Sequence, residues 1–380
     1  PCAFGLATPA AVVVAADRGA RDGILFRGHD ALERAARADL VLIDKTGTIT
    51  EGRPTLVRIA PEGDVPEREL LSLAAGIEAG SAHPLARAVR DAAEAAGLVP
   101  TEVTELRTRP GVGMEGRAGA REVVLRRELQ GDRPAPGPLV DLAPSPAAGL
   151  RPPSTRSVLY REGTRLGTLE FEDPIRPEAP EAIRRLRADG IEVVLVTGDR
   201  EPVARAVARA VGIETVHAGQ DPGQKLERLR EYSAGGWRVA FVGDGINDAA
   251  ALAAADTGIA LGTGSEVARE AGRILLVRPD LRGVPSALAL ARRTLTKVRQ
   301  NFLWALGYNA LLLPIAAGAL VPIFGFSEYA VLPVLGAGAM GLSSTLVLTN
   351  SLTLRWARLG PGKGGATPSD RLRAPQSTLR

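Results

Sequence analysis

The chain of 380 residues contains very little cysteine and few aromatic side chains. A single cysteine, Cys2, excludes an internal disulfide framework and any zinc site built from several cysteines. With seven Phe, four Tyr and three Trp, the chain also lacks the aromatic platforms on which single-stranded nucleic acids stack. The composition, 45% hydrophobic and 24% charged, is typical of two or three packed domains and excludes a disordered or fibrous protein.

Excess positive charge is confined to one short segment. The net charge is +4, and residues 355–380 carry six basic side chains against one acidic side chain. The remainder of the chain is therefore close to neutral, so no nucleic-acid partner is expected. We predict that residues 355–380 form a solvated, disordered basic tail on the cytoplasmic side.

Long apolar runs lie near both ends of the chain. Residues 302–321 and 329–350 are each about the 20 residues that a bilayer-spanning helix needs, and neither contains a charge. Basic residues precede the first run and follow the second, which predicts a transmembrane hairpin within residues 286–354 with both ends in the cytoplasm. Residues 1–18 are predicted to be the second half of another span, and a chain that starts there is expected to be the C-terminal part of a longer multi-pass protein.

Between these runs, short apolar segments end repeatedly in acidic or glycine-containing turns. They occupy residues 39–44, 191–199, 238–248 and 257–262. Helical patterns at 178–189 and 201–211 alternate with them, which predicts a doubly wound α/β domain with a parallel sheet, formed by residues 19–57 and 170–285.

The alternation breaks between residues 58 and 169, which we interpret as an inserted α+β domain. Helical patterns cover 67–79 and 84–96, and strands are predicted near 102–107, 121–126 and 157–170. Pro and Gly cluster at 131–153, which predicts a loop.

Three motifs at the ends of predicted strands carry phosphoryl-transfer chemistry. Asp44 opens the motif Asp-Lys-Thr-Gly-Thr-Ile-Thr, and a carboxylate at the end of a parallel strand can attack a phosphoryl group. Thr197 begins Thr-Gly-Asp, and Lys225 supplies a positive charge further on. Asp244 and Asp248, within Gly-Asp-Gly-Ile-Asn-Asp, provide two carboxylates for Mg²⁺, which prefers oxygen ligands.

In this order the motifs closely resemble those of P-type ATPases, whose phosphorylation domain has the haloacid-dehalogenase-like, Rossmann-like α/β fold. The resemblance implies that Asp44 is phosphorylated by ATP and that Lys45, Thr197, Lys225 and Asp244 belong to the catalytic set. It implies Mg²⁺ bound by Asp44, the Thr46 carbonyl, Asp244 and Asp248. Soluble phosphatases of this fold have a second Asp two residues after the nucleophile, where this chain has Thr46, so the phosphoenzyme is expected to persist.

The inserted region resembles the nucleotide-binding domain of the heavy-metal branch of this family. Ser81-Ala82-His83-Pro84 is similar to its Ser-Glu-His-Pro motif, with Ala82 in place of Glu, and no Gly-Asn pair follows at residues 124–127. Alternatively, this segment is only the start of a helix, with Ser81 as N-cap and Pro84 in the first turn. The resemblance implies an ATP site formed by a larger set: Glu78, His83, Gly111, Gly113, Thr197, Gly198, Asp199 and Asn247.

Polar groups within predicted spans indicate the transported ion, because such groups are costly in a bilayer. Thiolate and thioether groups suit Cu(I), and a Pro1-Cys2 pair resembles the end of a Cys-Pro-Cys motif. The resemblance to copper(I)-exporting ATPases implies a copper site formed by Cys2, Tyr308, Asn309, Met340 and Ser344. Met340 could instead face lipid, and Tyr308 and Ser344 could serve only in helix packing.

The predicted function is therefore ATP-driven export of Cu(I), with Ag(I) as a surrogate, through an aspartyl-phosphate. The resemblance implies a multi-pass plasma-membrane protein with cytoplasmic catalytic domains, in contact with the lipid bilayer and with a cytoplasmic copper chaperone. The actuator domain and earlier helices of the family are absent from these 380 residues, so the chain by itself is not expected to transport. A zinc-type pump of the same family, a soluble phosphatase of the same fold and an inactive remnant are the alternatives.

Overall fold

The computed structural model describes residues 2–109, 113–128, 140–142, 154–244, 248–262, 266–317, 319, 322 and 332–357. The helices of these residues are α1 (Cys2–Arg21), α2 (His29–Arg37), α3 (Glu67–Ile77), α4 (Pro84–Ala95), α5 (Ala179–Ala188), α6 (Glu201–Val211), α7 (Pro222–Ala234), α8 (Ala249–Ala254), α9 (Glu266–Ala271), α10 (Gly283–Ala316) and α11 (Leu332–Leu352).

The strands divide between two sheets. In chain order they are β1 (Ile24–Phe26), β2 (Leu40–Asp44), β3 (Thr55–Pro61), β4 (Thr104–Arg109), β5 (Gly113–Ala118), β6 (Arg121–Arg127), β7 (Val140–Asp141), β8 (Thr155–Arg161), β9 (Thr164–Glu172), β10 (Glu192–Val196), β11 (Thr215–His217), β12 (Val239–Gly243), β13 (Thr257–Leu261) and β14 (Ile274–Leu276).

The chain separates into two compact units. The first contains the described residues within Pro1–Asp44, Glu178–Gly198 and Gly212–Arg380. The second contains those within Lys45–Pro177 and Asp199–Val211.

The first unit is built on a sheet of order β1-β14-β13-β12-β2-β10-β11, in which all neighbours are parallel except β1 and β14. Its central strands are short, almost entirely apolar and buried, as expected for a parallel sheet covered on both faces. Leu40 and Leu42 point to one face, where they pack with Leu229 of α7 and Leu252 of α8. The predicted α/β class is confirmed, and the segments predicted at 39–44, 191–199, 238–248 and 257–262 contain β2, β10, β12 and β13.

Helix α7 begins at a complete capping box. The Asp221 carboxylate accepts a hydrogen bond from the Gln224 backbone at 2.8 Å, and the Gln224 side chain accepts one from the Asp221 backbone at 2.9 Å. Pro222 occupies the first turn, where its missing N–H has no consequence. This start positions Lys225 one turn into the helix.

The second unit contains an antiparallel sheet of order β4-β5-β6-β8-β9-β3-β7. Helices α3 and α4 cover one face, and their apolar residues form one core with the inward side chains of the sheet. The predicted helices at 67–79 and 84–96 are confirmed as α3 and α4. The sheet draws its strands from residues 55–172, slightly more than the predicted insertion of 58–169.

Two local predictions in this unit are wrong. The single strand predicted at 157–170 is a hairpin, β8 and β9, which turns at Glu162 and Gly163, both with positive φ (50° and 73°). Residues 140–141, predicted as loop, instead form β7, because the edge strand β3 offers unpaired backbone groups.

Helices α1, α10 and α11 pack against one another in the first unit. Asn301 is fully buried among them, and its side-chain amide donates to the Ala7 carbonyl at 3.1 Å and to Ser351 Oγ at 3.0 Å. Helices α10 and α11 occupy most of the predicted spans 302–321 and 329–350.

None of the helices in the described part of the chain combines the length and apolar character needed to cross a membrane. The two spans stay predictions. The C-terminal tail lies outside the described residues from position 358 onward.

The close packing of β13 against α8 allows a testable prediction at Gly258. A Cβ added there would lie 2.2 Å from the Leu252 carbonyl oxygen, so the backbone must shift to admit it. We expect Gly258→Ala to lower the free energy of unfolding by about 1–3 kcal/mol, measured by urea unfolding. In the control Gly307→Ala the added Cβ meets nothing within 4 Å, and the variant should be at least as stable as the parent chain. Equal stability of the two variants would contradict the packing described.

Candidate active site

Asp44 lies at the carboxyl end of β2, an inner strand of the first sheet. Strand β2 is flanked by β10 and β12, and the parallel register pairs Val196 with Asp44 and Val242 with Ile43. The residues that follow β10 and β12 therefore emerge beside Asp44. This edge is where ligands bind in doubly wound sheets.

A buried lysine connects two carboxylates at this edge. Lys225 Nζ donates to Asp44 Oδ1 at 2.6 Å and to Asp248 Oδ1 at 2.8 Å. All three residues are buried, with exposed fractions of 7% for Lys225, 4% for Asp44 and 2% for Asp248. Such burial is tolerable only because the charges compensate one another.

Asp244, partly buried, completes a group of three carboxylates. One oxygen from each of Asp44, Asp244 and Asp248 lies within 4.8 Å of the others. These are hard oxygen donors, and one lysine cannot neutralise three carboxylates. The residues present therefore fit a small divalent cation such as Mg²⁺.

Burial and mutual repulsion govern ionisation in this cluster. Desolvation, reinforced by the charge of Asp248, raises the pKa of Asp44 to about 7. For Lys225, burial acts to lower the pKa, but the carboxylates of Asp44 and Asp248 outweigh it and the pKa is raised. Lys225 therefore remains an ammonium, and additional positive charge would favour the ionised form of Asp44.

Two further predicted residues lie at the end of β10. Thr197 is 1% exposed; its backbone N–H donates to the His217 carbonyl at 3.0 Å and its carbonyl accepts from the Gln220 backbone at 2.9 Å. Gly198 follows directly. These contacts fix the backbone beside β2, the position from which a phosphate group could be held.

The residues after Asp44 belong to the second unit and form a tight loop. Gly47 has φ 73°, and its N–H donates to Thr50 Oγ1 at 3.3 Å. Thr46 is exposed, whereas Lys45 is buried and forms an ion pair with Asp199.

Two residues that the sequence analysis did not identify hold this loop. Arg176 donates from Nε to the Thr48 carbonyl and from Nη2 to the Gly47 carbonyl, both at 3.0 Å. Thr50 Oγ1 donates to Asp173 Oδ2 at 2.6 Å, and burial raises the pKa of Asp173. The only local signal was the stretch Asp-Pro-Ile-Arg-Pro at 173–177, whose prolines indicate a rigid connection.

Three of the predicted nucleotide residues in the inserted region are described by the structure. Glu78 caps the C-terminus of α3 and is 9% exposed, and burial raises its pKa despite a hydrogen bond from Ser81. His83 is exposed and is the N-cap of α4. Packing alone explains why position 113 is a glycine, because a Cβ there would lie 2.1 Å from the Leu125 carbonyl oxygen. Gly111 and Asn247 lie outside the described residues.

The predicted copper residues lie on the packed helices of the first unit. Tyr308 packs against Ala305 and Val347, which brings α10 onto α11. Asn309 uses its side-chain amide to donate to the Ala305 carbonyl at 2.7 Å. Met340 is 44% exposed and Ser344 is half-buried. Cys2 begins α1, but its side chain lies outside the described part.

Comparison with known proteins agrees with this arrangement. The haloacid dehalogenase-like hydrolase family matches residues 38–256. A copper-transporting P-type ATPase of Rhizobium leguminosarum bv. viciae is 43% identical over 366 residues, which cover 94% of this chain and 42% of that protein. A silver exporting P-type ATPase of Salmonella typhimurium is 40% identical over 362 residues, covering 95% of this chain and 43% of that protein.

The chain thus spans less than half the length of these relatives. The resemblance to copper-transporting P-type ATPases predicted from the motifs is confirmed by them.

Solved structures are similar over the same region. A zinc-transporting PIB-type ATPase in an E2·Pi state superposes with a TM-score of 0.72 at 34% identity, covering 93% of this chain and 56% of that chain. The catalytic domain of a CPx-ATPase superposes with a TM-score of 0.59 at 23% identity, covering 73% of this chain and 98% of that chain, which supports the fold alone.

The close approach of Gly243 to Asp248 allows a prediction about the cluster of three carboxylates. A Cβ on Gly243 would lie 2.7 Å from Asp248 Oδ2 and 3.0 Å from Asp248 Cβ. We expect Gly243→Ala to displace the Asp248 carboxylate and to weaken Mg²⁺ binding about tenfold in titration calorimetry, or about 1.4 kcal/mol. Gly80→Ala, whose Cβ would meet only Leu106 at 3.7 Å, is the matched control. Unchanged Mg²⁺ affinity in folded Gly243→Ala would argue against Asp248 as a ligand.

Burial of Glu78 makes a prediction about pH. Because its folded pKa lies above the ordinary 4.5, the unfolded chain loses this proton first, and the free energy of unfolding falls as pH rises through 4.5 toward the folded pKa. Glu78→Gln removes that loss, so its stability relative to the parent chain should be greater at pH 7.5 than at pH 4, measured by urea unfolding. The exposed control Glu102→Gln should show no such increase. If the free energies of unfolding of Glu78→Gln and the parent chain differ by the same amount at pH 4 and at pH 7.5, the pKa of Glu78 is not raised.

Proposed function

This chain belongs to the haloacid dehalogenase-like hydrolase family, and we propose that it forms the C-terminal catalytic part of a Cu(I)-transporting P-type ATPase. The observation that carries the proposal is the group of three carboxylates, Asp44, Asp244 and Asp248, beside the buried Lys225 at one edge of the parallel sheet. Relatives at 40–43% identity that are named copper-transporting or silver exporting ATPases support the choice of ion.

In the proposed reaction, Asp44 is the nucleophile. Its carboxylate attacks the γ-phosphorus of ATP, the bond to the bridging oxygen breaks, and ADP leaves, which produces an aspartyl-phosphate. The Lys225 ammonium, held by Asp44 and Asp248, is placed to neutralise charge on the phosphoryl oxygens. Thr197 and Gly198, at the end of the adjacent strand, are proposed to hold those oxygens.

We assign the divalent cation to Asp44, Asp244 and Asp248, with the Thr46 carbonyl as a fourth ligand. Mg²⁺ bound there would neutralise the negative charge of the phosphoryl group. Position 46 carries a threonine, where soluble phosphatases of this fold have their acid/base Asp. This favours a persistent phosphoenzyme over rapid hydrolysis, and so favours a pump over a phosphatase.

We propose that ATP is bound through the inserted region, which covers residues 58–169 between phosphorylation-domain segments 19–57 and 170–285. Glu78 and His83 lie at adjoining helix ends in the second unit, as a shared ligand would require. Gly111, Gly113, Asp199 and Asn247 are assigned to this site by resemblance, and Lys45 is proposed to act through its ion pair with Asp199.

For the ion we propose Cu(I), with Ag(I) as surrogate, bound by Cys2, Tyr308, Asn309, Met340 and Ser344. Soft sulfur ligands favour these ions over Zn(II). The zinc-transporting structural neighbour, at 34% identity, keeps a zinc-type pump as the second candidate.

We propose the cellular setting from the resemblance to P-type ATPases and from the two apolar runs of the sequence. Residues 286–354 would provide two transmembrane helices of a multi-pass protein of the plasma membrane, with the catalytic units and the basic tail in the cytoplasm. The lipid bilayer and a cytoplasmic copper chaperone are the proposed partners. The actuator domain and earlier helices would belong to the rest of the protein.

Phosphoenzyme formation from labelled ATP tests this proposal. In the complete transporter of which this chain is proposed to be part, we expect acid-stable label that requires Cu(I) or Ag(I) and falls to background in Asp44→Asn. The exposed control Asp64→Asn should retain the label. The measurement is made with Cu(I), Ag(I), Zn(II) and no metal.

The other outcomes separate the alternatives. Label that depends on Zn(II) would keep the pump and overturn the copper assignment. Turnover of small phosphate esters without stable label would favour a phosphatase. A folded protein that acquires no label with any metal would indicate an inactive remnant.

A further inference from the structure

The turn between α3 and α4 carries a polar side chain at each of its ends. Glu78 ends α3, and His83 is the N-cap of α4. The backbone N–H of Ser81 donates to the Glu78 carbonyl at 3.2 Å, and Ser81 Oγ accepts from the His83 N–H at 3.2 Å. We call residues 78–83 the α3–α4 turn.

One arginine of α4 holds both ends of this turn. Arg90 lies seven residues after His83 and therefore on the same face of the helix. Its Nη1 atom donates to the Glu78 carbonyl at 2.5 Å and to the Ser81 carbonyl at 2.9 Å. The side chain is half-buried. A single charged donor thus ties the end of α3 to the start of α4.

The turn carries one hydrogen-bond donor and one unsatisfied acceptor. His83 Nδ1 accepts from the Leu85 backbone N–H at 3.2 Å, which places the proton of the neutral ring on Nε2. Glu78 Oε2 is buried and makes no hydrogen bond within the described residues. A hydrogen-bond acceptor and a hydrogen-bond donor are the groups that can recognise the edge of a nucleotide base.

We propose that Arg90 is a positioning residue for nucleotide binding, which keeps Glu78 and His83 in the arrangement that the base requires. This inference rests on the proposed assignment of the ATP site to these two residues. Arg90 acts through the backbone of the turn rather than on the nucleotide. Without its guanidinium the turn would have to be ordered by the ligand, and that cost would appear as lost affinity.

The expected signature is a change in affinity with no change in chemistry. Arg90 donates to backbone carbonyls of the second unit, whereas Asp44 and Lys225, the groups proposed to react, belong to the first unit. Removing the guanidinium should therefore raise the ATP concentration needed for half-maximal phosphorylation while the rate at saturating ATP stays the same.

Arg90→Met, Arg90→Lys and the control Arg87→Met test the proposal. Arg87 is exposed on the same helix, one turn before Arg90. ATP affinity of the 380-residue chain is measured by equilibrium dialysis with labelled ATP, and phosphorylation of Asp44 in the complete transporter is measured at varied ATP. We expect about tenfold weaker binding for Arg90→Met, a smaller loss for Arg90→Lys, which keeps one charged donor, and parent-like binding for Arg87→Met.

The results separate this inference from the proposed function. If the parent chain is folded and does not bind ATP, the nucleotide assignment itself fails. If the parent binds and folded Arg90→Met binds equally well, Arg90 has no positioning role and the proposed function stands. A parallel fall in maximal phosphorylation rate and thermal stability for both Arg90 variants would indicate a structural role only.

Discussion

The placement of one lysine between two buried carboxylates constrains the first unit. Lys225 contacts Asp44 and Asp248, and each of the three charges would be costly to bury without the others. Several features of the fold serve this arrangement: the parallel register of β2 with its neighbours, the capped start of α7, and the absence of a side chain at Gly243. The remaining negative charge is the basis of the divalent-cation site that we propose beside Asp44.

In the second unit, buried or half-buried arginine side chains hold the functional loops by hydrogen bonds to their backbone carbonyls. Its functional segments are short connections whose backbone carbonyls have no partners in a helix or sheet. Arg176 satisfies the carbonyls of Gly47 and Thr48, and Arg90 satisfies those of Glu78 and Ser81. In both cases one planar guanidinium with several donors fixes a segment that carries the proposed reactive or ligand-binding residues.

Much of the fold could be predicted from local patterns. The apolar strand at 39–44 followed by a turn, and the apolar periodicity of α3 and α4, are properties of consecutive residues and were identified correctly. The hairpin at Glu162 and Gly163 was missed because its two strands read as one continuous run. Strand β7 was missed because it exists only through pairing with β3, about 80 residues earlier in the chain.

By itself, the sequence determined which residues are candidates for the chemistry and that most of them follow predicted strands, because residue type and periodicity are local. The tertiary structure alone decided which of them meet. Asp44 and Lys225 are 181 residues apart, and their contact depends on sheet register and on where α7 begins. The same holds for Arg176, which lies 128 residues from Thr48 in the sequence. Only the folded structure shows that its side chain contacts the Thr48 carbonyl. Contacts between distant segments depend on packing geometry, and no short stretch of residues encodes that geometry.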